Sequence, residues 1–107
     1  MKSHIDELKD TIRRLHGVDS SHVETVAVKE SFEGETITIW EGEVEVFELY
    51  DHPETDKLYA WVHKMDDIDN PERHVTVLHI YPITSPQLAV RAAIIREYRN
   101  RERPKEN

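Results

Sequence analysis

The spacing of apolar residues changes period twice along this chain, and those changes limit the folds open to it. Ile5, Leu8, Ile12 and Leu15 recur at intervals of 3, 4 and 3, the stripe of a helix that buries one side. Ser3 is placed to cap that helix, with Asp6 in a capping-box-like position, and Gly17 to end it in the left-handed conformation. From residue 22 the period falls to two. The runs "HVETVAVKESF", "TITIWEGEVEVFELY", "KLYAWVHKM" and "RHVTVLHIYP" are rich in β-branched and aromatic residues, and they alternate as half-buried strands do. Polar turns separate them: "EGE" at 33–35, "DHPETD" at 51–56 and "DDIDNPE" at 66–72. Gly42, inside the second run, marks a bulge or bend. After "ITSP" the helical period returns, with Ser85 as N-cap and Pro86 as first helical residue, through about Arg99. The expected architecture is α+β: a four-stranded antiparallel β-meander flanked by an N-terminal and a C-terminal helix. A length of 107 residues fits one domain, 1–103, with a short disordered tail at 104–107.

Hairpins centred on their loops pair Trp61 with Val77, His63 with Val75, Tyr59 with His79, Phe47 with Ala60 and Leu49 with Leu58. One sheet face then carries Phe47, Leu49, Leu58, Ala60, Val62, Leu78 and Ile80, a core for a helix to cover. The other carries Val44, Val46, Glu48, Tyr50, Tyr59, Trp61, His63, Val75, Val77, His79 and Tyr81, too apolar to be simply solvated. Either the two helices take opposite faces, or both cover one face and leave the aromatic side to a ligand or a second chain. The interaction face expected on the second arrangement is Tyr59, Trp61, His63, Val77, His79 and Tyr81.

Within that face Glu48, His63 and His79 form the sharpest chemical candidate. A carboxylate and two imidazoles can bind a metal or other ligand, or share proton transfer. Their spacing matches no established metal motif, and half-buried polar residues at a sheet surface explain them as well. The Asp66, Asp67, Asp69 and Glu72 loop has oxygen ligands but not the order of an EF-hand, and reads as a solvated hairpin loop. Glu33, Glu35, Glu41, Glu43, Glu45 and Glu48 form a row that either meets a basic partner or discourages edge-to-edge aggregation. On the last helix Leu88, Ala92, Ile94, Ile95 and Tyr98 make an apolar arc, extended by Val90. Arg91 lies inside it and calls for a carboxylate such as Glu45 or Glu48, or a rim position.

Composition excludes more than it identifies. No cysteine is present, so disulfides, thiolate zinc sites and cysteine nucleophiles are out. "MKSHIDELKD" has no signal-type apolar stretch and no run is long enough for a membrane span, so a cytoplasmic chain is expected. Residues 1–84 carry 8 Lys+Arg against 19 Asp+Glu, whereas 85–107 carry 6 against 3. An acidic body repels phosphate backbones, so nucleic-acid binding is disfavoured outside the basic end. A helix, three-strand, helix subset is similar to the double-stranded RNA-binding fold in element order alone; the acidic strands contradict that function.

The stretch "LHGVDSSHVETVAVKESFEGETITIWEGEVEVFELYDHP", with "YAWVH" and "VTVLHIYPITSPQLAVRAAI", resembles a group of short bacterial proteins without an assigned function, in which a "W-x-G" strand also follows "VKE". The resemblance covers most of the chain and implies a bacterial, cytoplasmic source; it carries over no functional residue. The expected function is a small noncatalytic interaction or accessory protein that associates with a partner, or with itself as a homo-oligomer, through the Tyr/Trp-rich face, with no cofactor. The alternative is a small enzyme or metal- or ligand-binding domain using Glu48, His63 and His79.

Overall fold

The structure is a computed structural model that describes residues 3–31, 38–64 and 72–102. The turn at 33–35, the acidic residues Asp66, Asp67 and Asp69, and the tail at 104–107 lie outside the described residues. The elements run α1 (His4–His16), β1 (Ser20–Ser31), β2 (Thr38–Leu49), β3 (Lys57–Lys64), β4 (Glu72–Leu78) and α2 (Pro86–Glu102). The four strands form one antiparallel sheet in the order β1-β2-β3-β4, the expected meander.

Local chemistry sets the ends of the helices. The Ser3 hydroxyl accepts the Asp6 N–H at 3.1 Å, and Gly17 sits at φ 70° with its N–H on the Arg13 carbonyl. Ser85 caps α2 through its hydroxyl, 3.2 Å from the Leu88 N–H. Asp6 and Glu7 near the start of α1 and Arg13, Arg14 and His16 near its end complement the helix dipole.

Each helix covers its own sheet face, giving three layers with a core on either side of the sheet. Leu8 and Ile12 of α1 pack on Phe47, Leu49, Leu58 and Ala60, with Val62 and Leu78 beside them. Ala89 and Val90 of α2 pack on Val28, Val44, Val46, Tyr59 and Trp61. The apolar arc of α2 is therefore rotated from the one expected. Ala89 and Val90 are buried, Ala93 and Ile94 flank them, and Ile95 is exposed. The reason is steric: a face carrying Trp40, Tyr59 and Trp61 leaves room for a helix to approach only where its own side chains are small.

The register differs from the loop-centred expectation by two residues. Trp61 opposes Val75, Tyr59 opposes Val77, and His63 opposes Arg73; Phe47 opposes Leu58. Leu49 N–H bonds to the Asp56 carbonyl at 2.8 Å, which shortens the β2–β3 connection, and β4 begins at Glu72 rather than Arg73. A slip of two preserves which face each side chain takes, so the face assignment stands.

Gly42 is not a bulge. The register shifts fall at His22/Glu24 and Glu30/Ser31, while Gly42 pairs regularly with Val28. A Cβ at Gly42 would lie 2.9 Å from two ring carbons of Trp40, whose indole folds across it toward Trp61. The "W-x-G" pattern thus makes a seat for an indole ring: two residues apart on a strand share a face, and only glycine leaves room for the ring.

Candidate functional site

The aromatic face is an interior. Tyr59 and Trp61 are 2% and 1% exposed beneath α2, so they are not surface available to a partner, contrary to the interaction face drawn from sequence. That face is covered by the chain's own second helix. Val77 is half-buried at the margin of the same cluster, and Trp40 and Trp61 pack with ring centroids 6.0 Å apart. The Tyr59 hydroxyl lies 2.5 Å from Nδ1 of His79. Burial, with a smaller contribution from Glu24, raises the Tyr59 pKa above its ordinary 10.0. The phenol is held protonated, the opposite of an activated phenolate.

Glu48, His63 and His79 are not brought together by the strand register. Glu48 opposes Lys57 at one end of β3, and His79 donates its backbone N–H to the Lys57 carbonyl at the same end. His63 lies six residues farther along β3, opposite Arg73. At a rise of about 3.3 Å per residue that is about 20 Å away. The His63 side chain itself lies outside the described residues. Among the described residues no group of three His, Asp or Glu side chains is placed to hold a metal ion.

The chain does assemble a polar cluster, on the α1 face, around Glu45. This carboxylate is 3% exposed and lies 2.8 Å from Nε2 of His22, 3.4 Å from Nε2 of His4, and within hydrogen-bond contact of the Thr25 hydroxyl. The bulge between His22 and Glu24 creates it. Before the bulge His22 pairs with Phe47, after it Thr25 pairs with Glu45, and the extra residue puts both side chains on the α1 face. Both Glu45 and Thr25 meet the same ring nitrogen of His22, with Thr25 at 3.4 Å. A nucleophile-activating triad needs the nucleophile and the carboxylate on opposite nitrogens of the imidazole base, so this group anchors structure instead. The sequence reading places Glu45 in a carboxylate row that meets a basic partner or protects a strand edge, and so does not single it out. Its phase with Phe47 and Leu49 was the available signal.

Arg91 finds neither Glu45 nor Glu48 but Glu30, on β1, at 3.1 Å. The guanidinium is half-exposed while Glu30 is buried and also contacts Gln87, so Arg91 sits at the rim and ties α2 to β1.

A surface able to receive something lies at the free edge of β4. Among the described residues that strand has β3 as its only sheet neighbour. His79 N–H bonds toward β3, so the alternation of an antiparallel ladder turns the N–H and C=O groups of His74 and Thr76 outward. Both helices overhang this edge and, with the Ile80–Ile83 turn, enclose a groove of about 820 Å³. Leu15 and His16 line it from α1, and Ala92, Ala93 and Arg96 from α2. Side-chain hydrogen bonds set the α1 rim: Thr11 meets Nδ1 of His74 at 2.8 Å and His16 meets Thr76 at 3.0 Å. Burial and the neighbouring His52 ring lower the His16 pKa from its ordinary 6.5.

Beside the groove Tyr81 is 88% exposed. The sequence reading carried β4 through to Pro82, but the strand ends at Leu78. Ile80 N–H turns back to the Leu78 carbonyl and Ile83 N–H to Ile80, which lifts Tyr81 out of the sheet. Pro82 has no N–H with which to continue a ladder. No helix among the described residues is long and apolar enough to cross a membrane. Comparison with protein-family models, curated proteins and solved structures finds no match.

Proposed function

We propose that this chain is a small noncatalytic interaction protein that receives an extended segment of a partner along the free edge of β4, with Tyr81 as an anchor. The supporting observation is the edge itself: outward backbone groups on the side of β4 away from β3, in an open, largely apolar groove lined by both helices. A segment added there extends the sheet by main-chain hydrogen bonds and places alternate side chains against α1 and α2. The opposite edge suits this less. β1 carries the bulge at Val23 and charged Glu24 and Lys29, devices that blunt an edge. Leu15, Ile80 and Tyr81 are large apolar or aromatic side chains left exposed around β4, and an exposed Tyr is a frequent interface anchor.

Selection of random displayed peptides on the immobilised protein tests this. The enriched peptides should compete with one another and lose binding to Tyr81→Ala and to Thr76→Pro, which removes an outward N–H without touching the ladder to β3. Enriched peptides that bind both variants as well as the parent protein would show that the edge is not the site.

A further inference from the structure

We infer that the segment received at the β4 edge is acidic: an extended partner strand carrying carboxylates among apolar residues. This rests on the edge-docking reading above and adds the chemistry of the occupant. Of the 107 residues in the chain, 22 are Asp or Glu, for a net charge of −8. None of those among the described residues lines the groove. Among the described residues its charged and titratable lining is Arg73, His74, His16, Tyr81 and Arg96, with no carboxylate. Arg73 already has an interaction within the chain. Arg96 is exposed and has no ion-pair partner among the described residues. The acidic surface elsewhere, including the exposed Glu41, Glu43 and Glu48 of β2, sets this groove apart as the basic exception.

Both rims are mixed in the same way. On the α1 side Leu15 stands next to His16, and on the α2 side Ala92 and Ala93 stand next to Arg96. An added strand sends alternate side chains to each rim, so each of its faces must mix apolar residues, which meet Leu15 or the alanines, with carboxylates, which meet the Arg96 guanidinium on one side and the His16 ring on the other. A second copy of this chain is the poorer occupant. A two-fold pairing of β4 with β4 is isologous, so it brings the exposed Arg96 of both copies to one groove, with no carboxylate among its described lining residues. It also opposes two bodies of net charge −8.

The test uses capped peptides of seven residues, the length of β4, in which pairs of Val alternate with pairs of Glu, of Thr or of Lys, so that each strand face carries both kinds. Binding to the full chain is followed by fluorescence anisotropy, and the mass of the protein alone by sedimentation. The Glu/Val peptide should bind about tenfold more tightly than the Thr/Val peptide, and the Lys/Val peptide weakest of the three. Added salt and Arg96→Glu should each erase that advantage. Thr76→Pro should abolish binding of all three, and Thr76→Val, which keeps the backbone donor, should retain it.

Equal binding of the Glu/Val and Thr/Val peptides overturns the acidic occupant and leaves edge docking standing. Binding that survives Thr76→Pro, or no binding of any peptide, overturns both. A concentration-dependent dimer that Thr76→Pro dissociates makes a second copy the occupant and overturns this inference alone.

Discussion

Replacing Gly42 with Ala should destabilise the protein by about 1–2 kcal/mol, although alanine is ordinarily the better residue in a strand. The new Cβ would stand 2.9 Å from two carbons of the Trp40 ring. Carbon atoms in contact settle at roughly 3.5–4.0 Å, so the ring must move by about 0.6–1 Å. It cannot move freely. Its other neighbour is Trp61, which is 1% exposed and lies beneath α2. Overpacking of this kind costs about 1–3 kcal/mol, and the reduced entropy of the unfolded chain returns about 0.4–1 kcal/mol. Gly42 is not among the residues at positive φ, so backbone strain adds nothing. For a chain of this size the net loss corresponds to a fall in Tm of roughly 5–15 °C. Urea unfolding followed by far-ultraviolet circular dichroism measures it, with Trp fluorescence reporting the Trp40–Trp61 contact directly. The decisive comparison is Gly42→Ala in a Trp40→Leu background, where the obstructing ring is gone and the substitution should become neutral or stabilising. A Gly42→Ala protein as stable as the parent, or an equal cost in both backgrounds, would refute the steric account.

Other consequences follow from the buried polar groups. Glu45→Ala removes a carboxylate that serves His22, His4 and Thr25, and should cost about 2–4 kcal/mol in urea unfolding, more than His22→Ala, because only Glu45 is fully buried. His16 is held below its ordinary pKa of 6.5 by burial and His52, so the unfolded chain takes up its proton first on acidification. Its contribution to stability is complete above pH 6.5 and falls below it, and His16→Asn should flatten the dependence of Tm on pH in that window. Tyr59, raised above 10.0, should form phenolate above the ordinary tyrosine range in an ultraviolet titration, and the folded state should lose stability as pH rises past 10.0, where the unfolded chain ionises first. Tyr59→Phe should remove that alkaline loss while leaving the fold intact.

The sequence made the elements and faces legible because both are periodic. Ser3, Gly17, Ser85 and Pro86 mark helix ends by short-range chemistry, and alternation sorts Phe47 and Leu58 from Val46 and Tyr59 whether or not the register is right to two residues. What stands against the aromatic face was not legible, because both helices carry apolar residues and nothing local says which face each takes. Nor was the Glu45 cluster. Its members come from α1, β1 and β2, and a bulge at Val23 changes the phase that would relate His22 to Thr25. The end of β4 was overrun because "HIY" continues the alternation while Ile80 turns back on Leu78.

By itself, then, the sequence determined an α+β meander with two helices and two apolar sheet faces, since hydrophobic period and capping act over a few residues. Only the tertiary structure decided that α2 seals Tyr59 and Trp61 inside, and that the open surface is the edge of β4. Burial belongs to pairs of surfaces brought together from distant parts of the chain. Small Ala89, lying against the indole and phenol rings, is what lets this helix close over that face.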